Sequence, residues 1–197
     1  MGGQDCPEWG VRMKRNLHNS LLNGTVEDWE HLAQQFPDFP DRLDNDESYM
    51  WGERQVKLGR YWITNAIDCG SLECVQWIIS KGVNLRFVDC EGFSPLHSCI
   101  DREFPDRHEM LKLLIDNGAD VNVGTELDTM GFNGWSPLHM ATCRNDLEAI
   151  KILLDNGADP KLRTIIDEYY TAEEGATLFW NKHEAAKLIR TYKPKAK

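Results

Sequence analysis

The sequence predicts an all-α fold, a solenoid of about five helix-turn-helix units joined by β-hairpin-like finger loops. Three observations carry this. "GFSPLHSCI" from Gly92 returns as "GWSPLHMAT" from Gly134, 42 residues later. Each copy leads through a helical stretch with an aliphatic pair to Gly-Ala-Asp, at Gly118 and Gly157. Serine followed by proline, and later glycine, punctuate a helix start and a helix end: serine caps, proline suits the first turn, and glycine accepts the positive φ of the C-terminal turn.

In chain order, "RNLHNSLLNGTVEDWEHLAQQFPDF" reads as a degenerate helix pair within 11–37. "PDFPDRLDNDESYMWGERQV" enlarges the loop that follows, 38–58, and is acidic. Gly59 stands 33 residues before Gly92 and opens a weaker copy, 59–91. That copy lacks the Pro and His but keeps Ala66, Gly70, the apolar stripe Val75, Trp77, Ile78 and Ile79, and Gly82. The two strong copies occupy 92–133 and 134–168. Ser94 and Ser136 are expected at the caps, Pro95 and Pro137 in the first turns, and Leu96 and Leu138 in a shared core. "YTAEEGATLFWNKHEAAKLIRTY" reads as a C-terminal capping pair, 169–192, with Thr171 at the cap and a basic tail, 193–197. Terminal units that drift from the central pattern are expected, because each end turns one face to water.

This pattern resembles the ankyrin repeat, whose period is about 33 residues. The resemblance runs from about Leu17 to Tyr192. It accounts for the irregular spacing as loop growth. Gly82 to Gly118 is 36 residues, the excess falling in "DREFPDRHE" between two helices. Gly118 to Gly157 is 39, the excess falling in the hairpin "NVGTELDTMGFNG". In the family the motif histidine hydrogen-bonds between neighbouring repeats, which implies a structural role for His97 and His139.

Composition narrows the function. The chain is 41% hydrophobic and 27% charged, as soluble folded proteins are, and no apolar run is long enough to span a bilayer. "MGGQDCPEW" lacks the layout of a secretory signal, and Cys6 stands where an N-myristoylation signal wants Ser or Thr. Cys6, Cys69, Cys74, Cys90, Cys99 and Cys143 form no Cys-x-x-Cys pair, and the expectation is buried thiols in a reducing cytoplasm. A net charge of -10 disfavours nucleic acid. From Glu27 to Glu47 there are eight acids against one base, and from Lys182 to Lys197 six bases against one acid. The acidic stretch is either a solvated loop or an attractor for a basic partner.

No catalytic, metal or cofactor site is expected. The histidines, at 18, 31, 97, 108, 139 and 183, show no i, i+4 pair and no cysteine at metal-ligand spacing. Glu173 and Glu174 suit a helix start, and Cys99 a small core position. Nothing gathers nucleophile, base and oxyanion donors, so the expectation is a non-enzymatic chain.

The family resemblance implies a partner bound along the concave face, on the hairpin tips and the first helix of each pair. The residue before each cap gives the row Arg60, Phe93, Trp135 and Tyr170, whose aromatics suit binding anchors. An aromatic there either projects to a partner or folds onto its own hairpin. Adjacent helix positions add Asp68, Asp101, Arg102, Cys143 and Arg144. The hairpins add Glu91, Glu126, Leu127, Asp128, Met130 and Phe132. The expected function is protein binding by a chain that is monomeric alone, with no nucleic acid or membrane partner. Two readings stay open: a cytoplasmic inhibitor or immunity-type protein occluding a toxin or enzyme with a basic surface, and an adaptor or scaffold binding a peptide or regulatory protein.

Overall fold

Three helices begin with the same local device. Ser94 and Ser136 each accept a hydrogen bond from the amide of the histidine three residues on, while that histidine's Nδ1 accepts from the serine's own amide. Thr171 and Glu174 form the equivalent box. Each box satisfies amides that a helix start would otherwise leave unpaired. At the other end of the pair, Gly82, Gly118 and Gly157 take φ between 82° and 93° with open space where a Cβ would be. The strain of that conformation, not a steric clash, is what calls for glycine there.

In the computed structural model, the residues described are 20–35, 48–51, 54–57, 61–88, 93–123, 134–164 and 169–193. Helical residues 20–23 precede α1 (Val26–Gln35), followed by a two-stranded antiparallel hairpin, β1 (Ser48–Trp51) and β2 (Arg54–Lys57), in the register Ser48 to Lys57. Part of the stretch 38–58, read from sequence as a loop, is therefore a β-ribbon. Four helix pairs follow: α2 (Trp62–Cys69) with α3 (Leu72–Ser80), α4 (Pro95–Asp101) with α5 (Arg107–Asp116), α6 (Pro137–Cys143) with α7 (Leu147–Asp155), and α8 (Ala172–Leu178) with α9 (His183–Thr191). The architecture is an all-α solenoid of helix pairs with finger loops.

Inner helices stack in the order α2, α4, α6, α8, and outer helices α5, α7 and α9 stack beside them. The core runs through the stack: Ile67, Ile78, Leu96, Leu114, Leu138, Ile150 and Leu153 are all buried. Such burial of aliphatic side chains contributes about 1.5–3 kcal/mol each. At the N-terminal end Trp29 packs on Trp77, whose indole donates to Glu30, and Lys81 bonds Glu30.

Polar rungs join each pair to the next. His97 Nε2 donates to the carbonyl of Trp135 at 2.9 Å, and His139 Nε2 to that of Tyr170 at 3.2 Å. Because each Nδ1 accepts, Nε2 carries the proton. Along the fingers, Arg86 donates to the Gly118 carbonyl and Asn122 to that of Gly157. On the outer side, Asp146 caps α7 at Ala149 and receives both His108 and Arg107 from α5.

Candidate partner-binding surface

In the last two units the residue before the helix cap has its backbone held by a histidine rung. The Tyr170 carbonyl accepts from both His139 and the Thr164 amide, and the Trp135 carbonyl accepts from His97. Corresponding side chains are thereby presented along one row of the stack. Phe93 is half-buried and meets His97 edge-on, ring centroids 6.1 Å apart. Trp135 is half-buried and lies 5.0 Å from Trp180. Tyr170 corrects the expectation of a projecting anchor: it is 9% exposed, folded against His139, Phe179 and Trp180.

Gly175 explains this fold-down. It occupies the helix position held by Ser98 and Met140 in the two preceding units. A Cβ there would meet the Trp180 ring at 2.8 Å and Tyr170 at 2.9 Å. Its absence lets Trp180 turn back over α8 and bridge Trp135 to Tyr170. Tyr169 and Asn181 flank the rings with φ of 51° and 53°. Trp180 and Phe179 were missed by the sequence reading. The available signals were a glycine inside a short helix, which marks close approach by a large group, and "LFW" at a turn where the other units carry "IDRE" and "TCRN".

The charged candidates separate. Asp101 and Arg144 are exposed and form an ion pair across two units. Asp68 is half-buried on α2. Arg102, expected as a surface contact, is instead 5% exposed. Its guanidinium donates to the carbonyls of Ile67 and Gly70 at the end of α2 and to Asp106. A helix end presents unpaired carbonyls and partial negative charge, which draws a guanidinium inward. Arg60, Glu91, Glu126, Leu127, Asp128, Met130 and Phe132 lie outside the described residues. The acidic stretch is described only to residue 35. Within it Asp28 is held below its ordinary range by hydrogen bonds from Thr25, and Glu30 by Lys81.

The buried titratable groups sit in apolar surroundings that suppress charge. Burial pulls both His97 and His139 down to about 4. It pushes the Cys74 thiol up to about 12 and raises Cys99 and Cys143 as well. Low thiolate character makes such cysteines poor nucleophiles. Among the described residues the cysteines are free thiols, and no cluster of three or more His, Cys, Asp or Glu could hold a metal. No described helix is long and apolar enough to cross a membrane.

The family profile described as ankyrin repeats (3 copies) matches residues 42–125 and 66–164, together more than half of the chain. Two curated relatives, each named Ankyrin repeat protein OPG189 and both from Variola virus, are 27% identical over 162 residues. The match covers 66% of this chain and 28% of each relative, so the chain spans under a third of their length.

Proposed function

Because the chain belongs to the ankyrin-repeat family, it is a protein–protein interaction module, and we propose that it works in the cytoplasm as an inhibitor or immunity-type protein. On this reading it binds an enzyme or toxin with a basic surface and occludes it. The observation that carries the reading is the pair of half-buried aromatics at corresponding positions, Phe93 edge-on to His97 and Trp135 with its carbonyl held by His97, on an array with eight acids against one base between Glu27 and Glu47. Rigid aromatic side chains suit anchoring, while opposite charge speeds encounter over a screening length of about 8–10 Å.

The test is affinity capture from the native host, then surface plasmon resonance against the captured partner. Trp135→Ala and Phe93→Ala should raise the dissociation rate, with Trp135→Ala costing at least about 2 kcal/mol. Neutralising Asp41, Asp44 and Asp46 should lower the association rate, and more so at low salt. Unchanged dissociation in both aromatic variants, with folding intact, moves the interface elsewhere. A partner that keeps its full activity when bound favours the adaptor reading over the inhibitor.

A further inference from the structure

We infer that the junction of the last two units docks a protein segment carrying a large apolar residue next to a carboxylate. This rests on the reading of the chain as a protein-binding module and narrows it to one place and one partner chemistry.

The first observation is concentrated apolar exposure. Five large hydrophobic residues are exposed among the described ones, and three of them, Tyr169 (63%), Leu178 (68%) and Phe179 (46%), belong to the C-terminal unit. Phe179 lies 5.0 Å from Tyr170, Tyr170 lies 5.6 Å from Trp180, and Trp180 lies 5.0 Å from Trp135. The rings thus form one continuous layer, supported beneath by Gly175, rather than scattered single side chains. Exposed apolar residues gathered in one unit, over rings that pack on one another, mark an interaction site more often than isolated residues do. Rings already locked by their neighbours also lose little freedom when a partner covers them. The backbone is left-handed at both edges of the layer, at Tyr169 and Asn181. For a tyrosine that conformation is unfavourable and needs support from its surroundings.

The second observation is charge. Lys182, two residues beyond Trp180 at the start of α9, is half-buried and has no ion-pair partner among the described residues. The described arginines of the last two units are by contrast matched: Arg144 by Asp101, Arg163 by Glu174, Arg190 by Glu173. Lys182 also begins the stretch with six bases against one acid that ends at Lys197. An unmatched ammonium beside an apolar layer favours a partner carboxylate and disfavours a basic side chain. This sign is opposite to that of residues 27–47, so charge would orient a partner along the array.

The experiment pans a random-sequence peptide phage library on the full chain and, in parallel, on a Phe179→Ser, Lys182→Glu double variant. Phe179 is exposed and Lys182 half-buried, and circular dichroism checks that the variant folds. Peptides selected on the parent should carry Leu, Phe, Tyr or Trp within a few positions of Asp or Glu. They should bind the double variant about tenfold or more weakly and shift backbone amide resonances within 169–182. Selected peptides that bind the double variant undiminished, or that carry basic residues beside the apolar one, overturn the site while leaving the chain a binding module. Failure to enrich any peptide overturns the site, while capture of a partner from the host tests the module reading separately. A concentration-dependent mass in ultracentrifugation that the double variant abolishes assigns the rings to a second copy of the chain, and also overturns the proposal.

Discussion

Arg102 donates from its guanidinium to the main-chain carbonyl of Ile67 at 2.6 Å, reaching 35 residues back to the preceding unit. Arg144, at the same position one unit later, also reaches backward, to the exposed carboxylate of Asp101. The two arginines share a place in the repeat and differ in burial.

Their substitutions should therefore differ in cost. Arg102→Ala strips partners from two carbonyls and from Asp106 and should destabilise by about 2–4 kcal/mol. Arg144→Ala removes a surface pair and should change stability by less than about 1 kcal/mol. Urea denaturation of the two variants measures the difference, and equal costs would contradict the burial contrast.

The motif histidines should act on stability. Replacing His97 by Ala leaves the Ser94 amide and the Trp135 carbonyl without the histidine, and replacing His139 leaves the Ser136 amide without it and the Tyr170 carbonyl with the Thr164 amide alone; each should cost about 1–3 kcal/mol. A variant that unfolds like the parent yet loses its partner would assign these histidines to recognition instead.

Acid should weaken the fold through the same residues. Their folded pKa values, about 4, lie below the ordinary value of 6.5. The unfolded chain takes up protons first as pH falls, so stability declines between about pH 6.5 and 4 and levels off below that window. Above 6.5 both states hold neutral histidine and the contribution vanishes. Glu174, held low by Thr171 and Arg163, adds a loss of the same sign at still lower pH. Denaturation midpoints should flatten across pH 4–6.5 in the His97→Gln, His139→Gln double variant, and an undiminished slope would assign the acid sensitivity to other groups.

Gly175→Ala tests the ring layer. Alanine is the better helix former by about 1 kcal/mol, yet its Cβ would fall within 3.0 Å of both Trp180 and Tyr170. The clash should dominate, destabilising the chain by about 1–3 kcal/mol and displacing Trp180. Near-ultraviolet circular dichroism reads that displacement, and a stabilised variant with an unchanged aromatic signal would show that the rings do not depend on this glycine.

The repeat frame was legible because its signals are local. Ser94, Pro95 and Gly118 each need only their own turn of backbone to act, so their residue types announce it. Leu96 and Leu138 were legible from the repeat that places them. The burial of Arg102 and of Tyr170 was not legible, for the opposite reason. Whether a guanidinium stays in water or enters a neighbouring helix end depends on the carbonyls of Ile67 and Gly70, over thirty residues away. Whether an aromatic projects or folds down depends on the space that Gly175 leaves and Trp180 fills. These are contacts between units, and a repeat pattern records only what the units share.

Pulled from its two ends, the array is a set of couplings in series, and such a set parts where it is weakest. Thr64 holds the helix position of His97 and His139, but its buried hydroxyl has no hydrogen-bond partner among the described residues, and Tyr61 before it makes no side-chain cap. The junction of α2 with α4 thus lacks the histidine rung and relies on Arg102 and Arg86. Under force the first rupture should detach α2 and α3 and leave the C-terminal pairs standing, so an optical-trap trace would show a partial extension before the final one.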